Sequence, residues 1–390
     1  MVDVFALAAS LQDRMATHRR RLHAQPEVGL DLPDTGDYVE QQLRDLGLTV
    51  ERHRGAGVSA VVAGTSRQGP ATVLRSDMDA LPIEETTGLS FSSTRPGAMH
   101  ACGHDLHMAM LLGAAEAFTT HPPQRDVVLA FQPGEESDRG AVPMLERHRN
   151  LQLDAATAFA IHVHATWPAH GVHYRRGTFM AYGDWFEATF EGPGGHASQP
   201  HLAGNPIEAG AAFVAASKSL VGELSTPQET TVATVTEFLM GNTVNVIPDR
   251  GSMRGTLRTV SPERRDALIE GLRGAVARAA TETRTTGRFR LLEGYPAVVN
   301  DPEYVDRMVA VLERSPAASG LTEMAAPSMV IEDFAYFLQR WPGAMVYLGA
   351  SIPGRTAFNH APDADFDEAV MATGLALHLL AAGGAGPAWG

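Results

Sequence analysis

The sequence predicts an α/β protein with a largely parallel sheet, interrupted by an inserted α+β domain. Three observations carry this reading. Apolar β-type runs at 58–63, 71–75, 127–131 and 157–163 alternate with helical patterns at 104–118 and 138–148. Strand–helix alternation with near-continuous apolar strands is the pattern of a sheet covered on both faces. Near residue 180 the pattern changes to alternating strands with fewer, longer helices. Finally, 390 residues exceed what one hydrophobic core usually organises.

The elements follow in order. Residues 5–22 have helical spacing, with Phe5, Leu7, Leu11 and Met15 on one side and polar residues on the other. A second helix covers 35–46 and stops at Gly47. The four apolar strands and two helices named above come next. Residues 184–191 alternate, Gly192-Pro193-Gly194-Gly195 punctuates them, and a helix at 205–221 follows. Segments 231–238, 244–247 and 251–259 read as β, a helix runs from Pro262 to about Glu282, and a strand falls near 288–293. Helical pattern resumes at 301–313, a buried-type strand at 344–349, and a final helix at 366–380 precedes a frayed tail. This places a discontinuous domain at 1–181 and 294–390 and an insert at 182–293.

Composition narrows the function classes. Lys plus Arg number 31 against 45 Asp plus Glu, a formal net charge of -14. Such a surface argues against a general nucleic-acid binder. One cysteine, Cys102, excludes an intrachain disulfide framework. The start MVDVFALAAS lacks a basic segment and a long apolar run, so no secretory signal is expected. Apolar stretches fall short of a membrane span. The expectation is a cytoplasmic protein without nucleic-acid or membrane partners.

The polar residues that carry chemistry cluster where strands end, which is where open α/β sheets collect ligands. His100-Ala-Cys102-Gly-His104-Asp105-Leu-His107 packs potential ligands into eight residues before an apolar helix. Thiolate and imidazole two apart can share a metal, and Gly103 permits the turn between them. The plainer alternative is a helix start with a buried Cys102. Gln132-Pro-Gly-Glu135-Glu136 follows a strand, so one carboxylate can bind metal while the other faces substrate. An exposed acidic turn is the alternative. His162 and His164 lie two apart and point to one side if the strand stays regular to its end. His360 is a lone loop histidine whose weight comes from the other clusters.

Together Cys102, His104, Glu136, His162 and His360 form a mixed N, O and S set large enough for two divalent ions sharing ligands. Such a pair activates water and clamps a developing oxyanion. It needs a proton shuttle that is not a ligand, and Glu135 is the candidate. Asp77, Asp79, Asp105 and His107 are placed to orient the ligands. In the insert, Gly194-Gly195-His196 marks a second polar site, with Asn245 and Arg254 as further candidates for which turn and surface roles are the alternative.

These motifs resemble the dinuclear-metal amidohydrolases and carboxypeptidases that include hippurate hydrolase, bacterial N-acyl-amino-acid hydrolases and the plant auxin-conjugate hydrolases. The likeness runs through RRRLHAQPEVG (19–29), RSDMDALPIEE (75–85), MHACGHDLHMAMLLGAA (99–115), FQPGEE (131–136), IHV (161–163), GPGGHAS (192–198), NVIPD (245–249), EDFAYFL (332–338) and HAPDADFDE (360–368), in that order. The resemblance implies a metallopeptidase catalytic domain with a ferredoxin-like insert that acts as lid and dimerisation domain. It implies two divalent ions, zinc, manganese, cobalt or nickel, on Cys102, His104, Glu136, His162 and His360. Glu135 matches the family's general base and His196 its substrate-holding histidine. The expected reaction is hydrolysis of the amide bond of N-acyl amino acids by a homodimer. A metal-dependent dipeptidase or carboxypeptidase, and a binding protein that lost turnover, are the alternatives. Two departures bear on the pocket: Leu106 stands where relatives usually have Gly, and Met329-Val330-Ile331 replaces a small pair before EDF.

Overall fold

The computed structural model describes residues 3–66, 69–136, 139–152, 155–226 and 229–383, and divides the chain into two units. The larger takes the chain up to Phe179, then Val299–Ala325, then Glu332 onward. The smaller takes Met180–Val298 and Ala326–Ile331.

The larger unit is built on an eight-stranded sheet. Its strand order is Val50–His53, Gly57–Val62, Val127–Gln132, Ala71–Asp77, Ala155–His164, Gly343–Gly349, Val172–Tyr174, Leu321–Glu323. The central four, Val127–Gln132 to Gly343–Gly349, are mutually parallel. Antiparallel pairings flank them on both sides. Strands Ala71–Asp77, Val127–Gln132 and Gly343–Gly349 are buried at every residue, which is why they read as apolar runs without alternation. The helix His104–Thr120 is buried along most of its length, as is the last helix, Val370–Ala381. Leu106 is among these buried residues and belongs to the core of the unit.

The parallel register aligns the strand ends. Asp77 pairs with Gln132, and Gly349 with His164. Chemistry-bearing side chains from distant segments therefore leave the sheet at one edge.

The smaller unit has a four-stranded antiparallel sheet, ordered Val232–Met240, Arg250–Thr259, Tyr182–Glu191, Thr286–Tyr295. With helices Pro206–Leu224 and Pro262–Glu282 between strands, this is the βαββαβ order of a ferredoxin-like unit. Both helices start on a capping side chain, Asn205 or Ser261, followed by proline. That pairing satisfies a free backbone N–H and preorganises the first turn. Phe186, Ala188, Phe190, Met253 and Leu257 pack with the helices.

Several elements differ from expectation. The helix read at 5–22 is two, Val4–Ser10 and Gln12–His23, broken at Leu11. Ser10 Oγ donates to Leu7 O at 2.6 Å, a back-bond that competes with the helical ladder. The helix read at 138–148 is Ala141–Arg147, its predicted start touching residues outside those described. The last helix starts at Val370 rather than 366. Most of the tail predicted to fray lies outside the described residues. The short strands Val50–His53, Val172–Tyr174 and Leu321–Glu323 have no sequence signal beyond a few residues. Segment Ala326–Ile331 groups with the smaller unit because Ala181 N donates to Ser328 O and Val330 O, while Ile331 fills the space a Cβ at Gly183 would need.

Candidate metal centre

The site begins with two turns that only glycine permits. Gly103 has φ 84°, and a Cβ there would lie 2.3 Å from Val163 Cγ2. Any other residue would disturb the turn between Cys102 and the start of the helix His104–Thr120. Gly140 closes the loop that carries Glu135 and Glu136: its N–H donates to Gly134 O at 3.0 Å, and a Cβ would collide with Pro133 O.

Cys102, His104, Glu136, His162 and His360 meet in one cluster. Cys102 Sγ lies 3.4 Å from His162 Nε2 and 3.2 Å from His360 Nε2. His360 Nε2 lies 3.3 Å from Glu136 Oε1, and His104 Nε2 lies 3.8 Å from the same oxygen. Donor atoms of Cys102, His104 and His162, and likewise of Cys102, Glu136 and His360, fall within 4.8 Å of one another. His360 reaches the cluster from a left-handed backbone, φ 71°, held by its N–H to Ala101 O. An uncommon backbone of this kind persists where the surroundings over-determine it.

Hydrogen bonds fix which ring nitrogen faces the cluster. His104 Nδ1 donates to Asp79 O at 2.7 Å, so Nε2 points inward, buried and without a hydrogen-bond partner among the described residues. His162 Nδ1 donates to Val163 O at 2.8 Å, again leaving Nε2 for the cluster. His107 is different. Its Nδ1 donates to Asp77 Oδ1 at 2.6 Å and its Nε2 accepts from Val163 N at 2.9 Å. Both nitrogens are committed, so His107 orients Asp77 and does not offer a ligand atom. His164, the other histidine of the strand end, stacks on Trp167 at 4.2 Å.

The charge balance favours a cation. Burial disfavours charge on His104, but Asp77, Asp79 and Cys102 raise its pKa well above the ordinary imidazole value. His360 is pushed up to about 10 by Cys102 and Glu136. Burial, then Glu136, pushes the Cys102 thiol up. Protons thus gather where acidic and sulfur donors converge, and a divalent cation would answer the same excess of negative charge. His162, by contrast, is held well below its usual pKa by burial and by His107, which keeps its ring neutral. The N, O and S donors fit such an ion.

Glu135 lies at the edge of the cluster, with donor atoms of His104, Glu135 and Glu136 within 4.8 Å. Burial first, then Glu332, Glu136 and Asp333, raises its carboxyl well above the usual range. Its backbone is held by Asp79, whose Oδ1 accepts from Glu135 N at 3.0 Å and Oδ2 from Glu136 N at 3.1 Å. Asp79 therefore ties His104 to the Glu135–Glu136 turn.

Sequence reasoning missed several charged residues that support this site. Arg19, buried, donates to Asp105 Oδ2 at 3.2 Å and to Asp365 Oδ1 at 3.2 Å. His23 engages the same Asp105 oxygen at 2.9 Å and Glu85 Oε1 at 3.2 Å. Arg75 contacts Asp77, Glu332 and Asp333. All of these fall within the motif strings quoted above, yet nothing local in them announces burial.

The structure keeps the insert's candidates within the smaller unit. Gly195–His196 pairs antiparallel with Val246–Ile247, so His196 lies beside the Asn245 segment. His196 is exposed, its Nδ1 accepting from Ser198 N at 3.1 Å. Asn245 Oδ1 accepts from Thr243 Oγ1 at 3.1 Å. Arg254 is separate from that pair, on strand Arg250–Thr259, where it meets Glu187 at 3.4 Å.

A largely buried N, O and S donor set beside the carboxyl ends of parallel strands, with the Glu135 carboxyl next to it, is the arrangement of a metal-dependent hydrolase. The comparisons make the assignment specific. Residues 73–383 match the model of peptidase family M20/M25/M40, and the chain belongs to that family as a metal-dependent amidohydrolase. It is 33% identical to a thermostable carboxypeptidase of Saccharolobus solfataricus over 95% of each chain. It is 32% identical to an N-acetyldiaminopimelate deacetylase of Bacillus licheniformis, over 87% of this chain and 91% of that one. Its fold matches a dinuclear metal binding peptidase of the M20 family from Bacillus subtilis with TM-score 0.79 and 27% identity, over 95% of this chain and 99% of the other. Among the described residues no helix is long and apolar enough to cross a membrane.

Proposed function

We propose that the chain hydrolyses the amide bond of N-acyl amino acids, with Cys102, His104, Glu136, His162 and His360 holding two divalent ions and Glu135 moving the proton. The observation that carries this reading is Glu135: a buried carboxyl beside the donor set, its pKa raised, its backbone held by Asp79. When bound, the ions polarise the amide carbonyl and lower the pKa of water. Glu135 accepts the proton released from water and delivers it to the leaving amine nitrogen. The new C–O bond forms first and the scissile C–N bond breaks as the tetrahedral intermediate collapses, giving a carboxylate and an amino acid. Zinc, manganese, cobalt and nickel all suit the set, and the thiolate makes zinc comfortable. A reducing cytoplasm, in which Cys102 stays available as a ligand, completes the reading.

The insert supplies the remaining parts. His196 holds the substrate or the tetrahedral intermediate, with Asn245 and Arg254 as polar contacts. The smaller unit acts as lid and as the dimer contact. Its strand Val232–Met240 stands at the sheet edge, with Phe238 and Leu239 exposed, and such an edge is a template for pairing with another chain. The carboxypeptidase relative favours a second reading, cleavage of a peptide bond at a free C-terminus by the same residues.

The test is amine release from a panel of N-acyl amino acids and dipeptides by metal-stripped protein restored with each ion in turn. Metal-dependent turnover of one acyl class supports the first reading, and turnover of peptides alone supports the second. Glu135→Gln is expected to lower kcat by at least about 100-fold, the low end of general acid–base contributions, with metal content unchanged. Wild-type turnover in that variant removes Glu135 from the mechanism.

A further inference from the structure

Arg75 takes no part in the chemistry above, yet it is buried to 1% exposure directly behind it. A charge is rarely buried so fully without a set of partners that defines its position. Its partners come from three segments. Nε donates to Gln132 Oε1 at 3.0 Å, and Nη1 to Asp77 Oδ2 at 2.8 Å. Nη2 donates to Glu332 Oε1 at 2.9 Å and Asp333 Oδ1 at 3.0 Å.

From these contacts two lines of hydrogen bonds run to the site. On one side Gln132 Nε2 donates to both oxygens of Asp333 at 2.8 Å, and Asp333 Oδ2 accepts from Ala141 N at 2.9 Å. Gln132 and Ala141 stand at the two ends of the loop that carries Glu135 and Glu136. Arg75 and Asp333 therefore pin both ends of that loop. On the other side Asp77 Oδ1 accepts from His107, and His107 accepts from Val163 N, next to His162. The guanidinium thus fixes the Glu135–Glu136 loop relative to the His162 strand end. Only a planar fork serves these directions at once; an ammonium has the charge without the geometry.

We propose that Arg75 is a positioning residue of the hydrolytic site, setting the spacing between the Glu135–Glu136 loop and the Asp77–His107–His162 line. The proposal rests on the functional reading above for its kinetic consequence, but not for its structural one. It separates from a purely electrostatic role, which lysine would preserve, and from a purely stabilising one, which would not move a ligand field.

The experiment compares wild type, Arg75→Lys and Arg75→Gly, each loaded with cobalt. Both variants are expected to shift the visible d–d bands of bound cobalt. Arg75→Lys is expected to lose about 10–100-fold in kcat, the usual effect of residues that orient ligands, with KM near the wild-type value. Added guanidinium ion is expected to restore the Arg75→Gly spectrum and part of its kcat, where sodium at equal ionic strength does not. A folded, cobalt-loaded Arg75→Lys with wild-type spectrum and kcat overturns the proposal. So does a folded Arg75→Gly that guanidinium leaves unchanged. If wild type turns over nothing on the panel while the variant spectra shift and guanidinium reverses the shift, the positioning role stands and the substrate reading fails. If Arg75→Gly does not fold, the lysine variant alone decides.

Discussion

The metal centre of the larger unit and the polar loop of the smaller one are built on opposite principles. Around Cys102 and His104 each orienting carboxylate is held from two or more directions: Asp79 by two backbone N–H groups, Asp105 by Arg19 and His23, Asp77 by Arg75 and His107. His196, Asn245 and Arg254 are exposed, and among the described residues their side chains meet groups close in sequence or the part-exposed carboxylate of Glu187. The first region is preorganised by burial, where an unsatisfied charge is expensive. In the second, water already satisfies the side chains, so their geometry is left to whatever they bind. Mutations should accordingly act through metal affinity and stability in one region and through substrate binding in the other.

The largest expected effect is at Cys102. Cys102→Ser should weaken metal binding by at least about 100-fold, since even residues behind the ligands cost 10–100-fold. Titration of the stripped protein with zinc measures it. Unchanged stoichiometry and affinity would take Cys102 out of the ligand set. Next is His196→Ala, expected to lower kcat by about 10²–10³ if the ring supports the tetrahedral intermediate. Metal content and melting temperature should stay at wild-type values. A fall in metal content would show that the two regions are not independent.

The third prediction concerns pH. Burial opposes charge on His23, but Asp105 and Glu85 outweigh it and raise the imidazole to about 9. The folded value lies above the ordinary one, so its stabilisation is complete below about pH 6.5 and is lost as pH rises through about 9. His23→Gln should cost about 1–3 kcal/mol of unfolding free energy near pH 6 and less near pH 10. Equal losses at both pH values would mean that packing, not charge, holds His23. The smallest effect is at Arg254. Arg254→Ala should change stability by no more than about 1 kcal/mol, as for exposed ion pairs. It should raise KM by about tenfold, near the worth of one hydrogen bond to a charged group. An unaltered KM would leave the arginine as a partner of Glu187 alone.

Legibility in the sequence followed the span of the contacts. Cys102, His104 and Asp105 lie within four residues, just before an apolar helix, and Glu135 with Glu136 within two, just after an apolar strand. Their chemistry was visible because ligand spacing and strand ends are local properties. Arg75 and Glu332 are separated by 257 positions, and Arg19 and Asp365 by 346. Nothing near any of them in sequence distinguishes a buried arginine from a surface one. His164 shows the same limit from the other side. Its spacing from His162 qualified it as a ligand, but Trp167, three residues on, offers a stacking face that holds the ring. Leu106, for which the sequence left open either narrowing the approach to the metals or packing beneath the loop, is buried in the core of the larger unit.

By itself, then, the chain's order of residues carried most of the elements and pointed to an insert and to a candidate set of donor atoms. Periodicity, glycine turns and donor type are set within a few residues. The tertiary structure alone decided which ring nitrogen each histidine presents, which carboxylates are buried, and that Arg75 stands behind Glu135. Those outcomes depend on desolvation and on hydrogen bonds between segments far apart in the chain, and they exist only once the parallel strands have brought their ends to one edge.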